Sequence, residues 1–446
     1  MPASSATIAP VERRPRRRHV VALCFLASFV AYTDRVNISV AAVAMKEQLG
    51  WSQSQKGLVL SSFFVGYMLF MIAGGWLAKR YGGRNVLAVA VLGWSAFTLV
   101  TPLAATLSLK ALVTARIGMG LGEAALFPGV MELYSRWVPA AERARAVARM
   151  LSGIPLGTVG GLLATGWIVG RYHWSVAFYT FGALGLIWVV VWLAQVGDDP
   201  ATDPRVTPEE RALLAWHVAD PEGTSPPPLR QLLQRPAVWA MIVGHFACTW
   251  TLYVLLSWLP SYFRDVEHVS VASAGLLSAA PWLTMFATVN GAGAISDRMI
   301  RRGASLTFTR KLMQSVGLVG PALFLFALLA LRDVHSPELA LALVCAATGA
   351  LGFTWSGFAP NCLDLAPQYA SVLYAVSNTF ATIPGIAGVA VTGWLVDVTH
   401  GYAAAFVLSA GVAVAGAVFY AVFFDARPVA LTARSGSLAT SRATRV

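Results

Sequence analysis

Apolar residues along this chain are gathered into blocks of about 20 residues, separated by short polar segments. Blocks of that length can cross the hydrocarbon core of a bilayer as α-helices. The pattern therefore predicts an all-α membrane protein with about twelve transmembrane helices, arranged as two six-helix repeats. The first set of blocks is 19–43, 57–78, 85–107, 110–133, 146–169 and 174–196, and the second is 237–262, 272–296, 312–331, 338–360, 368–395 and 403–424.

The polar segments divide the chain into five parts. The longest one contains three consecutive prolines and predicts a linker with one short surface helix near 207–218. The parts are a cytoplasmic N-terminal tail (1–18), an N-terminal six-helix bundle (19–196), a cytoplasmic linker (197–236), a C-terminal six-helix bundle (237–424) and a cytoplasmic C-terminal tail (425–446).

The composition limits the class of protein further. Hydrophobic residues make up 57% of the chain and charged residues only 12%, and that charged fraction is about half the one typical of soluble domains. This composition excludes a soluble enzyme, a nucleic-acid-binding domain and a disordered chain. The expected surroundings are a lipid bilayer, and no nucleic acid partner is expected.

The net charge of +12 is distributed unevenly along the chain. Of the 33 Lys and Arg residues, 25 fall in the tails and even-numbered loops, 6 in the odd-numbered loops and 2 inside predicted helices. Positive residues accumulate on the cytoplasmic side of membrane proteins. The distribution thus predicts a multi-pass protein of the cell inner membrane with both termini in the cytoplasm.

The sequence carries no signature of enzymatic or metal chemistry. The four cysteines form no CxxC pair and lie in or beside apolar blocks, which indicates packing roles. A Walker loop and a nucleophile triad are both missing. We therefore expect no catalytic residues, no metal and no cofactor, with protons as the coupling ion.

A repeated motif relates the two bundles. Residues 75–84 end the second helix and residues 293–303 end the eighth; both read Gly-x3-(Lys/Asp)-Arg followed by basic residues and Gly, 218 residues apart. The repeat resembles the major facilitator superfamily, whose loops 2–3 and 8–9 carry this signature, although Lys79 stands where the superfamily usually has Asp. Plain topogenic charge is the alternative for the basic residues. The candidate gating residues at the inner face are Asp297, Arg298, Arg80 and Arg84.

Four ionisable residues lie deep inside predicted helices, namely Asp34, Arg35, Arg116 and Glu123. A charge near the bilayer centre costs at least about 2.5–3.5 kcal/mol, so it persists only where it faces a cavity or a partner. Arg116 and Glu123 share a face of the fourth helix but lie about 10 Å apart along its axis, too far for a direct pair. Each needs another partner, which can be the first helix, water or a substrate.

These four residues divide by chemistry into two roles. The guanidinium groups of Arg35 and Arg116 match a carboxylate in a bidentate fit, so they are the anion-binding candidates. The carboxyl groups of Asp34 and Glu123 are the proton-coupling candidates. The alternative is a permanent buried ion-pair network that only fixes helix packing.

Longer motifs surround these charges, at residues 32–41 (YTDRVNISVA), 61–67 (SSFFVGY), 116–123, 252–263, 361–370 and 377–385. Together they resemble the anion:cation symporter family, which includes bacterial sugar-acid/proton symporters and the vesicular glutamate and sialic acid transporters. The resemblance covers nearly the whole chain. It implies proton-coupled import of a small organic anion, with Asp34 and Glu123 coupling protons. The residues that it implies for substrate binding are Arg35, Arg116, Tyr32, Tyr67 and Asn378.

The C-terminal half is expected to line the same cavity with Tyr253, Trp355 and Ser356, and bundle packing is the alternative for the aromatic residues. One segment departs from the family pattern. Residues 152–157 read SGIPLG and have no Gln where galactonate-type members carry a substrate-contacting one. This departure argues against galactonate in particular.

The sequence as a whole predicts a monomeric secondary transporter that takes up a small organic anion with protons by alternating access. The first candidate for the transported anion is a sugar acid, and the second is another carboxylate. Two other classes stay open. A proton-coupled exporter of amphiphilic compounds has no need of Arg35 and Arg116, and a membrane-embedded enzyme would place its polar cluster at an interface.

Overall fold

The computed structural model of the protein describes residues 15–197, 199–215, 229–331 and 336–428. Within those ranges the chain is helical and has no strand. The helices of the first half are α1 (Arg16–Leu49), α2 (Gln53–Tyr81), α3 (Gly83–Leu107), α4 (Leu109–Glu123), α5 (Leu126–Trp137), α6 (Ala140–Arg171) and α7 (Ser175–Gln195). Those of the linker and second half are α8 (Pro208–Ala215), α9 (Leu229–Leu233), α10 (Pro236–Asp265), α11 (Val271–Arg301), α12 (Leu306–Ala330), α13 (Pro337–Leu351), α14 (Thr354–Gly357), α15 (Asn361–Leu365), α16 (Ala370–Thr399) and α17 (Ala403–Phe423).

The described helices confirm the predicted fold class, with a break in the fourth predicted span. Eleven spans in the described part of the chain are long and apolar enough to cross a membrane. The one remaining predicted block, the fourth (110–133), is divided between α4 and α5, neither of which reaches 18 residues. The break lies at Ala124, which is four residues before Pro128, and a proline ring clashes with the carbonyl of residue i−4. Proline therefore explains why this helix is interrupted beside Glu123.

Close helix packing between α2 and α4 depends on two glycines. A Cβ atom at Gly66 would lie 2.0 Å from the carbonyl oxygen of Ile117, and one at Gly120 would lie 2.1 Å from that of Phe63. Only hydrogen fits in such a space, so the two backbones touch directly. The contact holds the Phe63 ring against the region of α4 that carries Arg116.

A second glycine stripe packs α6 against α1. Added Cβ atoms at Gly153 and Gly157 would lie 2.7 and 2.3 Å from the backbone oxygens of Phe25 and Phe29. Gly161 continues the stripe one turn later, against Thr33. The part of α1 that carries Asp34 and Arg35 is thereby fixed in position by α6.

The two halves meet at the face where α1 and α10 end, which we call the distal face. A Cβ at Gly57 of α2 would lie 3.2 Å from the carbonyl oxygen of Val389 on α16, and one at Gly166 of α6 would lie 3.2 Å from Cα of Gly275 on α11. The α2–α16 and α6–α11 contacts thus close the bundle toward this face.

The linker packs against the opposite end of the first half. Arg17 forms ion pairs with Glu142 of α6 and Glu210 of α8, at 3.1 Å in both cases. The hydrogen bond from Arg17 lowers the pKa of Glu142 below its usual range. Helix α8 supplies the described part of the short helix predicted near 207–218. Of the two predicted tails, residues 1–14 and 429–446 lie outside the described residues.

The α2–α4 contact is tested by Gly120→Ala, with Gly93→Ala as the matched control because a Cβ at Gly93 has nothing within 4 Å. We expect the first variant to lose about 1–3 kcal/mol of stability because the two backbones must separate. The thermal unfolding midpoint of the detergent-solubilised protein measures the loss. Equal midpoints for the two variants would contradict the close contact.

Candidate functional site

A buried ion pair joins the first helix to the fourth. The Nη2 of Arg35 donates to Oε1 of Glu123, and the two side chains are only 5% and 1% exposed. Glu123 is the last residue of α4, directly before the break. Its other oxygen, Oε2, is buried and has no hydrogen-bond partner among the described residues. The pair therefore leaves one carboxylate oxygen free to bind a proton.

Aromatic rings surround the Arg35 guanidinium. Its Cζ lies 4.5 Å from the ring centre of Tyr32, 4.8 Å from that of Phe63 and 5.0 Å from that of Tyr67. Nη1 also donates to the Tyr32 hydroxyl at 3.3 Å. Ring faces attract cations most strongly where water is excluded. The structure thus brings Tyr32 and Tyr67 together with Arg35, and their role in substrate binding stays a prediction.

Arg116 is buried without a counter-ion. It is 1% exposed, and no carboxylate in the described part of the chain lies within ion-pairing distance. Its contacts are the sulfur of Met119, at 3.0 Å from Nη1, and the ring of Phe63, 5.5 Å from Cζ. Isolated buried charge is costly. The arrangement is suited to binding an anion, which would give Arg116 a direct ion-pair partner.

Both guanidinium groups line one small cavity between the halves of the molecule. The first half contributes Arg35, Arg116 and Phe63, while Leu256 and Ser257 of α10 form the other wall. The cavity measures about 10 Å³, close to the room that one water molecule needs. The walls must therefore move apart before a solute enters.

Asp34 lies near Arg116 and Glu123 but makes no side-chain hydrogen bond to a described residue. It is fully buried, and neither carboxylate oxygen has a partner among the described residues. It interacts electrostatically with Glu123 and Arg116, and the Trp94 indole lies close to it. The four intramembrane charges thus form one cluster, although Arg35 and Glu123 make its only direct ion pair within the described chain.

The residues predicted from the second half occupy different places. Tyr253 belongs to the cluster, since it packs on Phe64 with ring centres 4.5 Å apart and interacts electrostatically with Arg35. Asn378 donates instead to the sulfur of Met71 at 3.2 Å and so connects α16 to α2.

Trp355 and Ser356 are not among the residues that line the small cavity, and their role in substrate binding stays a prediction. Trp355 packs in an apolar group with Leu256 and Trp282. The backbone oxygen of Ser356 accepts from Arg310, which also pairs with Asp364 at 2.8 Å.

The predicted gating residues are not brought together. Arg80 is exposed over the rings of Trp76 and Tyr81 on its own helix. Arg84 donates to the carbonyl oxygens of Leu193 and Val196, which ties α3 to the end of α7. Asp297 and Arg298 are exposed at the end of α11. Their gating role stays a prediction.

Sequence reasoning missed Lys56. The second apolar block begins at residue 57, which predicts a loop position for Lys56, but Lys56 lies inside α2 and is 1% exposed. Its Nζ donates to the hydroxyl of Ser261 at 2.8 Å and lies 4.6 Å from the ring centre of Trp258. The helical spacing of Lys56, Leu60 and Phe63 was the signal that could have placed it on the cavity face.

No group of three or more His, Cys, Asp or Glu side chains in the described part of the chain has the geometry of a metal site.

Comparison with known proteins shows the family to which the chain belongs. The model of the Major Facilitator Superfamily matches residues 24–389, so the chain belongs to that superfamily.

Two relatives and one solved structure illustrate the similarity. The chain is 39% identical over 413 residues to "Sodium-dependent phosphate transport protein 1, chloroplastic" of Arabidopsis thaliana, covering 92% of this chain and 80% of that protein. It is 38% identical over 383 residues to "Ascorbate transporter, chloroplastic" of the same plant, covering 86% and 70%. A bacterial homologue of the human lysosomal transporter Spinster, in an inward-facing and unoccupied conformation, has the same fold, with a TM-score of 0.75, 19% identity and coverage of 92% and 97%.

The asymmetry between the two carboxyl groups is tested by comparing Glu123→Gln with Asp34→Asn. The first change leaves Arg35 buried without its counter-ion, which costs about 3–5 kcal/mol. The second removes a carboxylate that has no hydrogen-bond partner among the described residues. We expect the thermal unfolding midpoint to fall clearly in Glu123→Gln and little in Asp34→Asn. The reverse order would contradict the assigned pairing.

Proposed function

We propose that this protein takes up a small organic anion together with protons, by alternating access to the cavity between its two halves. The observation that carries the proposal is Arg116, a buried cation without a counter-ion on the wall of that cavity. An anion is the solute that such a wall recognises best, because it can pair directly with a guanidinium group that no carboxylate of the described chain contacts.

The substrate class is supported by two kinds of observation. Guanidinium groups bind the paired oxygens of a carboxylate in a bidentate fit, and they bind phosphate equally well. The names of the relatives mention phosphate and ascorbate, both of them anions. Within this class we propose a carboxylate, with a sugar acid first.

Coupling to protons follows from the position of the acids. Glu123 is held by Arg35, and Asp34 lies within electrostatic range of Arg116. An anion bound at Arg116 cancels part of the positive charge that favours the ionised carboxylates. Proton binding and anion binding therefore support each other, as thermodynamic linkage requires. Protons, rather than a resident cofactor, supply the driving force.

The setting of this activity is part of the proposal. The excess of Lys and Arg in the tails and even-numbered loops favours cytoplasmic termini and a cell inner membrane. The four charges belong to one chain, so a monomer is sufficient for transport. Opening and closing of the halves around the cavity gives alternating access.

Uptake into proteoliposomes tests the proposal. An imposed inward proton gradient should drive accumulation of one anion from a panel containing a sugar acid, ascorbate and inorganic phosphate. Asp34→Asn and Glu123→Gln should lose proton-driven accumulation but keep anion exchange. Arg116→Gln should raise KM about tenfold or more, because a hydrogen bond to a charged group contributes about 1.5–3 kcal/mol.

Lys110→Gln, a change at an exposed residue in the first turn of α4, is the matched control. Accumulation driven by a sodium gradient alone would overturn proton coupling. Retained proton-driven accumulation in both acid variants would overturn the roles of Asp34 and Glu123. Proton-driven efflux of a lipophilic cation, with no anion uptake, would favour the amphiphile exporter instead.

A further inference from the structure

We propose that Lys56 is a third anion-binding cation of the transport pathway, held on Ser261 while the distal face is closed and exposed to the incoming anion when that face opens. The inference rests on the proposed anion transport and adds an outer binding site to it. The ligand class is a small monovalent or divalent anion with carboxylate-like oxygens.

Lys56 lies directly on the distal side of the cavity. Lys56, Leu60 and Phe63 share one face of α2, and Leu60 and Phe63 line the cavity. On α10, Ser257 lines the cavity and Ser261 follows one turn later. Four residues of a helix rise about 6 Å, so the contact between Lys56 and Ser261 caps the cavity.

The charge of Lys56 has no direct counter-ion. Its contacts are the Ser261 hydroxyl and the Trp258 ring, and no carboxylate among the described residues lies within ion-pairing distance of Nζ. Asp265 and Asp397 are the charged groups that face it from α10 and α16, and Lys46 of α1 is the third charge in range. A buried ammonium held only by neutral groups is poorly compensated, so an anion binds it favourably.

The carboxylates of Asp265 and Asp397 already accept hydrogen bonds from groups other than Lys56. Asp397 accepts from the backbone N–H groups of Gln53 and Ser54, at 2.8 and 2.7 Å, at the first turn of α2. Asp265 accepts from the Gln53 side chain at 3.1 Å and from the Tyr402 hydroxyl at 2.8 Å. A carboxylate at a helix N-terminus is favourably placed. The bonds from Gln53 and Ser54 join the halves and hold the distal face closed.

When the distal face opens, Lys56 moves away from its partners, because they lie on the other half of the molecule. Ser261, Asp265 and Asp397 belong to the second half, whereas Lys56 belongs to the first half together with Arg35. Separation removes the carboxylates and leaves Lys56 on the same wall as the two arginines. Lys56 and Phe63 are seven residues apart, so an anion moves about 10 Å along α2 from the lysine to the guanidinium cluster.

Thiol labelling tests the inference without substrate. The reporter is Ser39→Cys on the cavity wall, in a variant that lacks the four native cysteines. Anionic 2-sulfonatoethyl and cationic 2-(trimethylammonium)ethyl methanethiosulfonate are applied to the distal face of right-side-out proteoliposomes. We expect Lys56→Gln to reduce the ratio of anionic to cationic labelling rates about tenfold, because the cation concentrates anions in its cleft.

Two further variants distinguish the effect of the Lys56 charge from the effect of closing the distal face. Lys56→Arg keeps the charge and should keep the ratio. Ser261→Ala removes the hydrogen bond that closes the cap, so both rates should rise while the ratio stays the same. Size-exclusion chromatography of each variant checks that the chain is folded.

An unchanged ratio in Lys56→Gln would overturn the inference. Failure of both reagents to reach the reporter from the distal face would overturn it as well, since the inference requires that face to open. The labelling needs neither substrate nor a proton gradient. Its failure is therefore distinguishable from failure of the proposed symport, which the uptake assay measures.

Discussion

The ion pair between Arg35 and Glu123 is the contact on which the arrangement of this protein's site depends. A membrane interior tolerates charge only where another charge, a ring face or water compensates it. The pair meets that condition for one arginine and one acid. Arg116 and Asp34 lie within electrostatic range of each other, but neither has a direct ion-pair partner among the described residues. Transport of an anion with a proton would neutralise both.

Glycine and proline give this cluster its geometry. Gly66 and Gly120 bring the backbones of α2 and α4 into contact, so that the ring of Phe63 lies near both guanidinium groups. Pro128 ends the regular helix just after Glu123. The polar residues therefore do the chemistry of the site, while small or rigid residues on the same helices fix the distances between them.

The helical blocks and the charged cluster were predictable from the sequence, because the bilayer constrains each short segment of the chain independently of its neighbours. An apolar stretch of sufficient length must be helical, and Arg116 within such a stretch must face something polar. The pairing of Arg35 with Glu123, rather than with Asp34, was not predictable, because it depends on the rotation of α1 against α4. Lys56 was missed because a lysine at the edge of an apolar block resembles a loop residue until the neighbouring helix is known. The same limit applies to Asp364, whose partner Arg310 lies on another helix.

Proton flow driven by the anion alone tests the central claim most directly. In proteoliposomes that contain a pH-sensitive dye and have equal pH on both sides, an inward gradient of the transported anion is imposed at clamped membrane potential. The account predicts that the lumen becomes acidic as the anion enters, and that Glu123→Gln abolishes the acidification. Entry of the anion with no change in luminal pH would contradict the account.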